Sequence, residues 1–564
     1  MGHIAYRDFP WAKETFMRAD DSLSILIYNF FSGFCCRVIG VLLLVIFSPV
    51  ASMATDAREP KVVIIEFHGL KQHIIEDNLD SLPNFKALIQ GRDNQQGHIH
   101  LSNVFTTISA ASVPACTAMY TGRYPRDNGV VSTIWFDRRL LKIRTMISYG
   151  QQRINRILTQ NNIPTLFDYV RSAGLTSLNA MLMIDKGADW SIKSGMYFWG
   201  NGSVVGLWKN GRWFPDPWYM DHKTVSAVLT GHLFAYHKSL AGLLKQKGII
   251  PDVTVIQLLG TDIDSHFPNA DLIEKNATME IIQSRYARNV LDPQIGRLVH
   301  YFKENGIYER MIFFLVSQQG AIKITRHIAD DLVSSSLEPV FQLPDRVTGN
   351  QQADAVVMPG ACTKEVYLKD RESDDWLRPP RLLADVKPAV DLILANNVLT
   401  DSLNAMAIRQ YAGERNAGVA ETGSWWGFDR QSYMESAQSN TDFLAALIPL
   451  ADAFAHFELK DFVVSGLERQ YSRETTPDIK LVNKKGIYFE VDKHKYGHHG
   501  SYYPEDTLLS FWIAGPGLTQ VIPGRHVIAA SASTLDLIPM VAYVLDMPQP
   551  RGIDGRNPLS GLKP

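Results

Sequence analysis

Cysteine is scarce: 564 residues contain four, at positions 35, 36, 116 and 362. Beyond the N-terminal segment only Cys116 and Cys362 remain, so a disulfide framework is excluded and at most a single bridge is open to the chain. The other reading of Cys116 is a small buried residue on a helix. Charge of one sign is also lacking. Lys and Arg number 56 against 58 Asp and Glu, a formal net charge of -2, which leaves no electrostatic footprint for nucleic acid. No internal repeat or low-complexity linker is present, which excludes repeat arrays. What is there, 46% hydrophobic and 20% charged residues, describes an ordinary folded protein long enough for a large α/β domain with insertions.

The long apolar stretches lie at the N-terminus. Residues 37–54, RVIGVLLLVIFSPVASMA, place Arg37 before an apolar run and the small residues Ser52 and Ala54 after it, the order of a signal peptide. A second apolar patch, LSILIYNFF at 23–31, would let the combined stretch remain as a membrane anchor, whereas a start at Met17 would give a more ordinary signal. Residues 1–54 are read as signal peptide or anchor with an extension. The remainder is expected outside the cytoplasm, periplasmic or extracellular, touching a membrane only through that segment.

From there the chain alternates short apolar strands with helical stretches, the pattern of a central, mostly parallel sheet covered on both faces. The strand candidates are VVIIEF (62–67), SLNAML (177–182), VTVIQLL (253–259), MIFFLVS (311–317) and LLSFWIAG (508–515), with helices expected over 163–174 and 284–306. In such sheets functional groups collect just beyond the carboxyl ends of the strands. His68, Asp262, Gln318 and Gln319 each follow one of these strands, so the pattern brings them to one crevice. The expected division is a core over 55–346, an insert or cap over 347–471, and a closing part of the core over 472–564. The aromatic-rich stretch 196–220 reads either as packing for a long irregular loop or as a surface that stacks a base, lipid or sugar.

Three segments carry the chemistry. TTISAASVPACTAMYTGRYPRDNGV (106–130) sets Ser112 two residues before Pro114 and follows with Thr121-Gly122, Tyr124-Pro125 and Gly129; VIQLLGTDIDSHFP (255–268) sets Asp262 four residues before His266; KYGHHGSYYP (495–504) supplies His499. Together they resemble the alkaline phosphatase superfamily in its type I phosphodiesterase and nucleotide pyrophosphatase branch, over about 61–559. That resemblance implies an alkaline-phosphatase-like α/β fold, a nucleophilic Ser112, and two zinc ions. It assigns Asp262, His266 and His499 to one ion, and Ser112 with positions 68, 318 and 319 to the other. His498, His494 and Asp264 are neighbouring alternatives for the first.

The chain departs from the family at the second set. Its first strand ends His68-Gly69 where the family has Asp-Gly, and a later strand ends Ser317-Gln318-Gln319-Gly320 where the family has Ser-Asp-His-Gly. A Gln carbonyl is a weak neutral donor, so two negative charges are gone and the second site is expected to be empty or very weak. His68 either reaches a metal or fills the vacated space, bonded to Gln318, Gln319 or Ser112. Glu66, two residues back along the strand, is too far to substitute simply for the missing carboxylate. Ser112 reads equally well as nucleophile or as helix N-cap. Thr133 stands where many relatives carry an Asn that contacts a phosphate oxygen. Two functions follow: a phosphoester hydrolase with one zinc per chain, acting on a phosphorylated small molecule, or a catalytically silent scaffold that binds a ligand or protein. Ligands supplied from the acidic run KDRESDD (369–375) would be a third route, though such a run reads first as a solvated loop.

Overall fold

The computed structural model describes residues 59–564 apart from 92–95, 147–149, 193–205, 210–211, 232–235, 345–351, 411–423, 473 and 490–493. The signal or anchor segment and part of the aromatic stretch 196–220 lie outside the described residues. Among the described residues no helix is long and apolar enough to cross a membrane.

At the centre is Lys61–Phe67, whose seven residues are all buried. Its Val and Ile side chains are stiff at χ1 and suit a pleated surface covered on both sides. It pairs in parallel with Met311–Val316 on one edge and Val253–Leu258 on the other, with Val62 opposite both Ile312 and Val253. Side chains alternate across this sheet. Val62, Ile64, Val255 and Phe314 enter one core, and Val63, Ile65, Phe67 and Phe313 enter the other. Each such aliphatic side chain, fully buried, contributes about 1.5–3 kcal/mol.

In spatial order the sheet runs Arg525–Ile528, His98–Phe105, Leu508–Ala514, Met311–Val316, Lys61–Phe67, Val253–Leu258, Ser177–Ala180 and Trp190–Ile192, with Ala532–Ser533 also on His98–Phe105. Only Leu508–Ala514 runs against its neighbours. The α/β architecture with a mostly parallel sheet is thus as the sequence implies.

A second, six-stranded antiparallel sheet is ordered Ala355–Met358, Thr363–Leu368, Ile479–Asn483, Leu403–Arg409, Trp425–Phe428 and Leu447–Pro449. One face packs Val366, Met406, Ile408 and Leu481 against the helix Lys387–Leu394. The other holds Lys480, fully buried and 3.1 Å from Glu365 Oε1. Burial lowers the Lys480 pKa, and the Glu365 carboxylate opposes that shift.

Candidate functional site

The expected strand ends converge. His68 follows Lys61–Phe67, and Gln318 and Gln319 follow Met311–Val316, while the helix Gly260–His266 begins two residues after Val253–Leu258 and carries Asp262 and His266. His499 arrives from the loop beside the bridge that pairs Ile322 with His498. Ser112 opens the buried helix Ser112–Thr121. The N-cap of that helix is Ala111, and no side chain caps it, so the alternative reading of Ser112 as an N-cap is corrected: the helix begins at Ser112 itself, leaving its hydroxyl free for the crevice.

Asp262, His266 and His499 bring their ligand atoms within 4.8 Å of one another. Asp262 Oδ2 is 3.4 Å from His266 Nε2, and Asp262 Oδ1 is 3.4 Å from His499 Nε2. Ligands about 2.0–2.1 Å from a tetrahedral zinc stand roughly 3.3 Å apart, so these separations suit the ion. The donor chemistry suits it too. His266 Nδ1 donates to the Gly497 carbonyl at 2.6 Å, which fixes the ring proton there and leaves the Nε2 lone pair facing Asp262. Asp262 Oδ1 is buried without a hydrogen-bond partner among the described residues. His494, His498 and Asp264 do not join this group. Instead His498 Nδ1 accepts the His499 backbone N–H at 2.8 Å.

The electrostatics agree. Burial lowers the His499 pKa to about 3 against the raising influence of Asp262, so its imidazole is neutral at neutral pH. Burial would raise Asp262, but the facing His266 and His499 rings hold it well below the carboxylate range.

The second set is rebuilt as hydrogen bonds. His68 Nε2 lies 3.0 Å from Ser112 Oγ, and Gln319 Nε2 donates to the same oxygen at 3.0 Å. Gln318 places its amide 2.5 Å from His68 Nδ1. So His68 fills the vacated space on Gln318 and Ser112, one of the two alternatives the sequence left open. It also lies 3.9 Å from Asp262 Oδ2. Glu66, fully buried, is not at the ion's position but stands behind His68, 3.6 Å from Nδ1, with Gln257 donating to Glu66 Oε1 at 2.8 Å. Burial alone would lower the His68 pKa; the Glu66 carboxylate and the charges of Asp262 and Asp221 outweigh it and raise it. Gln257 escaped the sequence reading, although a lone amide inside VTVIQLL was its signal.

Ser112, Asp262, His266 and His499 line a crevice of about 540 Å³ together with Thr133, Glu365 and Lys495, while His68, Gln318 and Gln319 lie behind Ser112 and outside its lining. Thr133 therefore lines the same crevice as Ser112. The acidic run 369–375 is not in the lining: Asp370 and Glu372 pair with Arg381, and Asp374 with Lys369. Cys116 and Cys362 are both buried and free, which removes the possible bridge and leaves Cys116 as a packed residue of its helix.

Comparison with known proteins places this geometry. No curated protein matches the chain in sequence. The human ectonucleotide pyrophosphatase/phosphodiesterase 5 structure superposes with a TM-score of 0.53 at 13% identity, covering 89% of this chain and 99% of that one. The murine protein of the same name superposes with a TM-score of 0.51 at 12% identity, covering 88% and 97%. An inactive murine form in complex with AMP gives 0.50 at 13% identity over 88% and 98%. At such identities these likenesses speak for the fold. The family model for type I phosphodiesterase / nucleotide pyrophosphatase matches residues 62–387, the stretch that contains Ser112, Asp262 and His266, and the chain belongs to that family.

Proposed function

We propose that the chain is an exported phosphoester hydrolase that works with a single zinc held by Asp262, His266 and His499, with Ser112 as nucleophile. The observation that carries this reading is the sharing of one crevice by a serine hydroxyl and a zinc donor set, with His499 Nε2 3.5 Å from Ser112 Oγ. Bound there, zinc would supply Lewis-acid stabilisation of charge on a phosphoryl oxygen.

The chain's own residues supply the rest. Ser112 presents Oγ at a helix N-terminus, where backbone N–H groups point outward and favour an anionic phosphoryl group. Gln319 holds that oxygen in place, and Thr133 borders the space a phosphate oxygen would enter. The substrate class is a phosphorylated small molecule of nucleotide type, in keeping with the family and with the AMP held by the inactive murine relative. Losing a second ion removes several kcal/mol of transition-state stabilisation, each 1.36 kcal/mol being about tenfold in rate, so turnover is slow by the family's standard.

Hydrolysis of an aryl phosphodiester by the zinc-loaded full chain tests this. Turnover that disappears in Ser112→Ala, and on chelation returns only with zinc, is expected. Unchanged turnover in Ser112→Ala would overturn the nucleophile. Absence of any turnover, with tight AMP binding, would favour the silent scaffold.

A further inference from the structure

We infer that His68 is a general base for Ser112, with Glu66 behind it, so that a serine–histidine–glutamate array activates the nucleophile in place of the missing second ion. The inference rests on the reading of Ser112 as nucleophile.

Donor and acceptor accounting leads to it. Ser112 Oγ already accepts from Gln319 Nε2, and its own hydrogen needs an acceptor. Two ring nitrogens are near: His499 Nε2 at 3.5 Å, whose lone pair belongs to the zinc donor set, and His68 Nε2 at 3.0 Å. The serine hydroxyl therefore donates to His68 Nε2, and the ring proton of His68 sits on Nδ1. That proton faces Glu66 Oε1 at 3.6 Å and the Gln318 amide at 2.5 Å, whose carbonyl oxygen, turned toward Nδ1, accepts it, while the Gln257 amide nitrogen, 3.3 Å from Nδ1, keeps its N–H on Glu66 Oε1 at 2.8 Å. Amide orientation is free to follow this need, because Gln318 Oε1 otherwise has no hydrogen-bond partner among the described residues. Glu66 is fully buried, and its Oε2 also lacks one among them, so an imidazolium at His68 would meet a desolvated carboxylate. The substitution that removed a metal ligand thus put a base against the nucleophile, supported in the way a triad requires.

The steps balance. Ser112 Oγ bonds to phosphorus as its proton passes to His68 Nε2, and the bond from phosphorus to the leaving oxygen breaks. That oxygen stands opposite Ser112 Oγ, in line, and takes its proton from solvent. Water then attacks the phosphorylated serine from the vacated side and gives a proton to solvent, and the phosphate ester is released as Ser112 Oγ departs and takes back the proton held on His68. No oxidant or further co-reactant enters.

A serine made reactive by a base reacts with a fluorophosphate without a metal. Diisopropyl fluorophosphate is added to the full chain after chelation: Oγ bonds to phosphorus, fluoride leaves, and the proton passes through His68 to solvent. Peptide mass spectrometry should find the adduct on Ser112. His68→Ala should slow labelling by about 10²–10⁴, the usual share of a general base, and added imidazole should restore part of it, which a packing defect would not allow. Glu66 touches His68 and not Ser112 and is a positioning residue. Glu66→Gln should slow labelling about tenfold and shift the ¹⁵N signals of the His68 ring away from the Nδ1–H tautomer. Equal labelling of His68→Ala and the unaltered chain, or labelling only with zinc present, would overturn the array. Labelling without phosphoester turnover would uphold the array and sink the hydrolase reading, whereas turnover with labelling indifferent to His68 would do the reverse.

Discussion

The proposed zinc site needs a charge and two fixed lone pairs, and Asp262, His266 and His499 suit that need for different reasons. Asp262 has an oxygen without a hydrogen-bond partner among the described residues, His266 has its proton pinned by the Gly497 carbonyl, and His499 is kept neutral by burial. Removing one donor should therefore empty the site rather than weaken it slightly. His499→Ala is expected to lose most bound zinc in elemental analysis, and full zinc retention would contradict the triad. At this scale much was legible. The spacing Asp262 to His266 is one helical turn, and the strand ends bring His68, Gln318 and Gln319 together around Ser112 and Asp262. The place of Glu66 was not legible, because strand rise argues against a shared ligand position and cannot show that His68 would bridge the gap. Nor was the release of the Ser112 hydroxyl from a capping role, which depends on the helix starting one residue earlier than a Ser112 cap would require.

The helix Gly260–His266 is anchored at its first turn from an unexpected quarter. Asp221 Oδ1 accepts the Gly260 N–H at 3.0 Å, and the Tyr286 hydroxyl lies 3.0 Å from Asp221 Oδ2 and 2.9 Å from the Pro217 carbonyl. Gly260 is required by close approach, since a Cβ there would stand 1.8 Å from that hydroxyl. One phenolic hydrogen cannot serve both acceptors, so a protonated Asp221 that donates to Tyr286 completes the chain. Burial, partly offset by the Gly260 and Tyr286 hydrogen bonds, raises the Asp221 pKa to about 7. A carboxyl whose folded pKa exceeds its unfolded value near 4 holds an extra proton in the folded state between the two. Its contribution to stability is full below about 4 and is lost as the pH rises through about 7. Denaturant unfolding of the unaltered chain should weaken from pH 5 to 8, and Asp221→Asn should flatten that slope by up to about 1.4 kcal/mol per pH unit. Identical slopes would contradict a protonated anchor. Asp506, also pushed up by burial to about 7, leaves part of the slope in place. Other elements show where periodicity stops informing. The expected helix over 284–306 is observed as Met279–Tyr286, a wider turn at Ala287–Leu291, and Asp292–Glu304. The one over 163–174 narrows to Leu166–Ser172 because Thr165 and Asp168 form a capping box that sets its start.

Over the whole molecule the crevice belongs to both sheets. Ser112 and Asp262 come from helices that follow strands of the larger one, while Thr363 and Glu365 come from the strand Thr363–Leu368 of the smaller. Five strands of the larger sheet were readable as apolar runs, whereas His98–Phe105, Trp190–Ile192, Arg525–Ile528 and Ala532–Ser533, which are polar or short, were not. The smaller sheet was not readable, since Ile479–Asn483 pairs with Leu403–Arg409 and Thr363–Leu368 across long sequence separations that local pattern cannot encode. Conversion of the second metal position into a hydrogen-bonded array around Ser112, with the first kept whole, is the central claim, and it has a stoichiometry. Elemental mass spectrometry of the purified chain, after loosely bound ions are removed, should find about one zinc per molecule. About two would mean that other ligands complete the second site, and none would mean that Asp262, His266 and His499 hold no ion; either count would contradict the account.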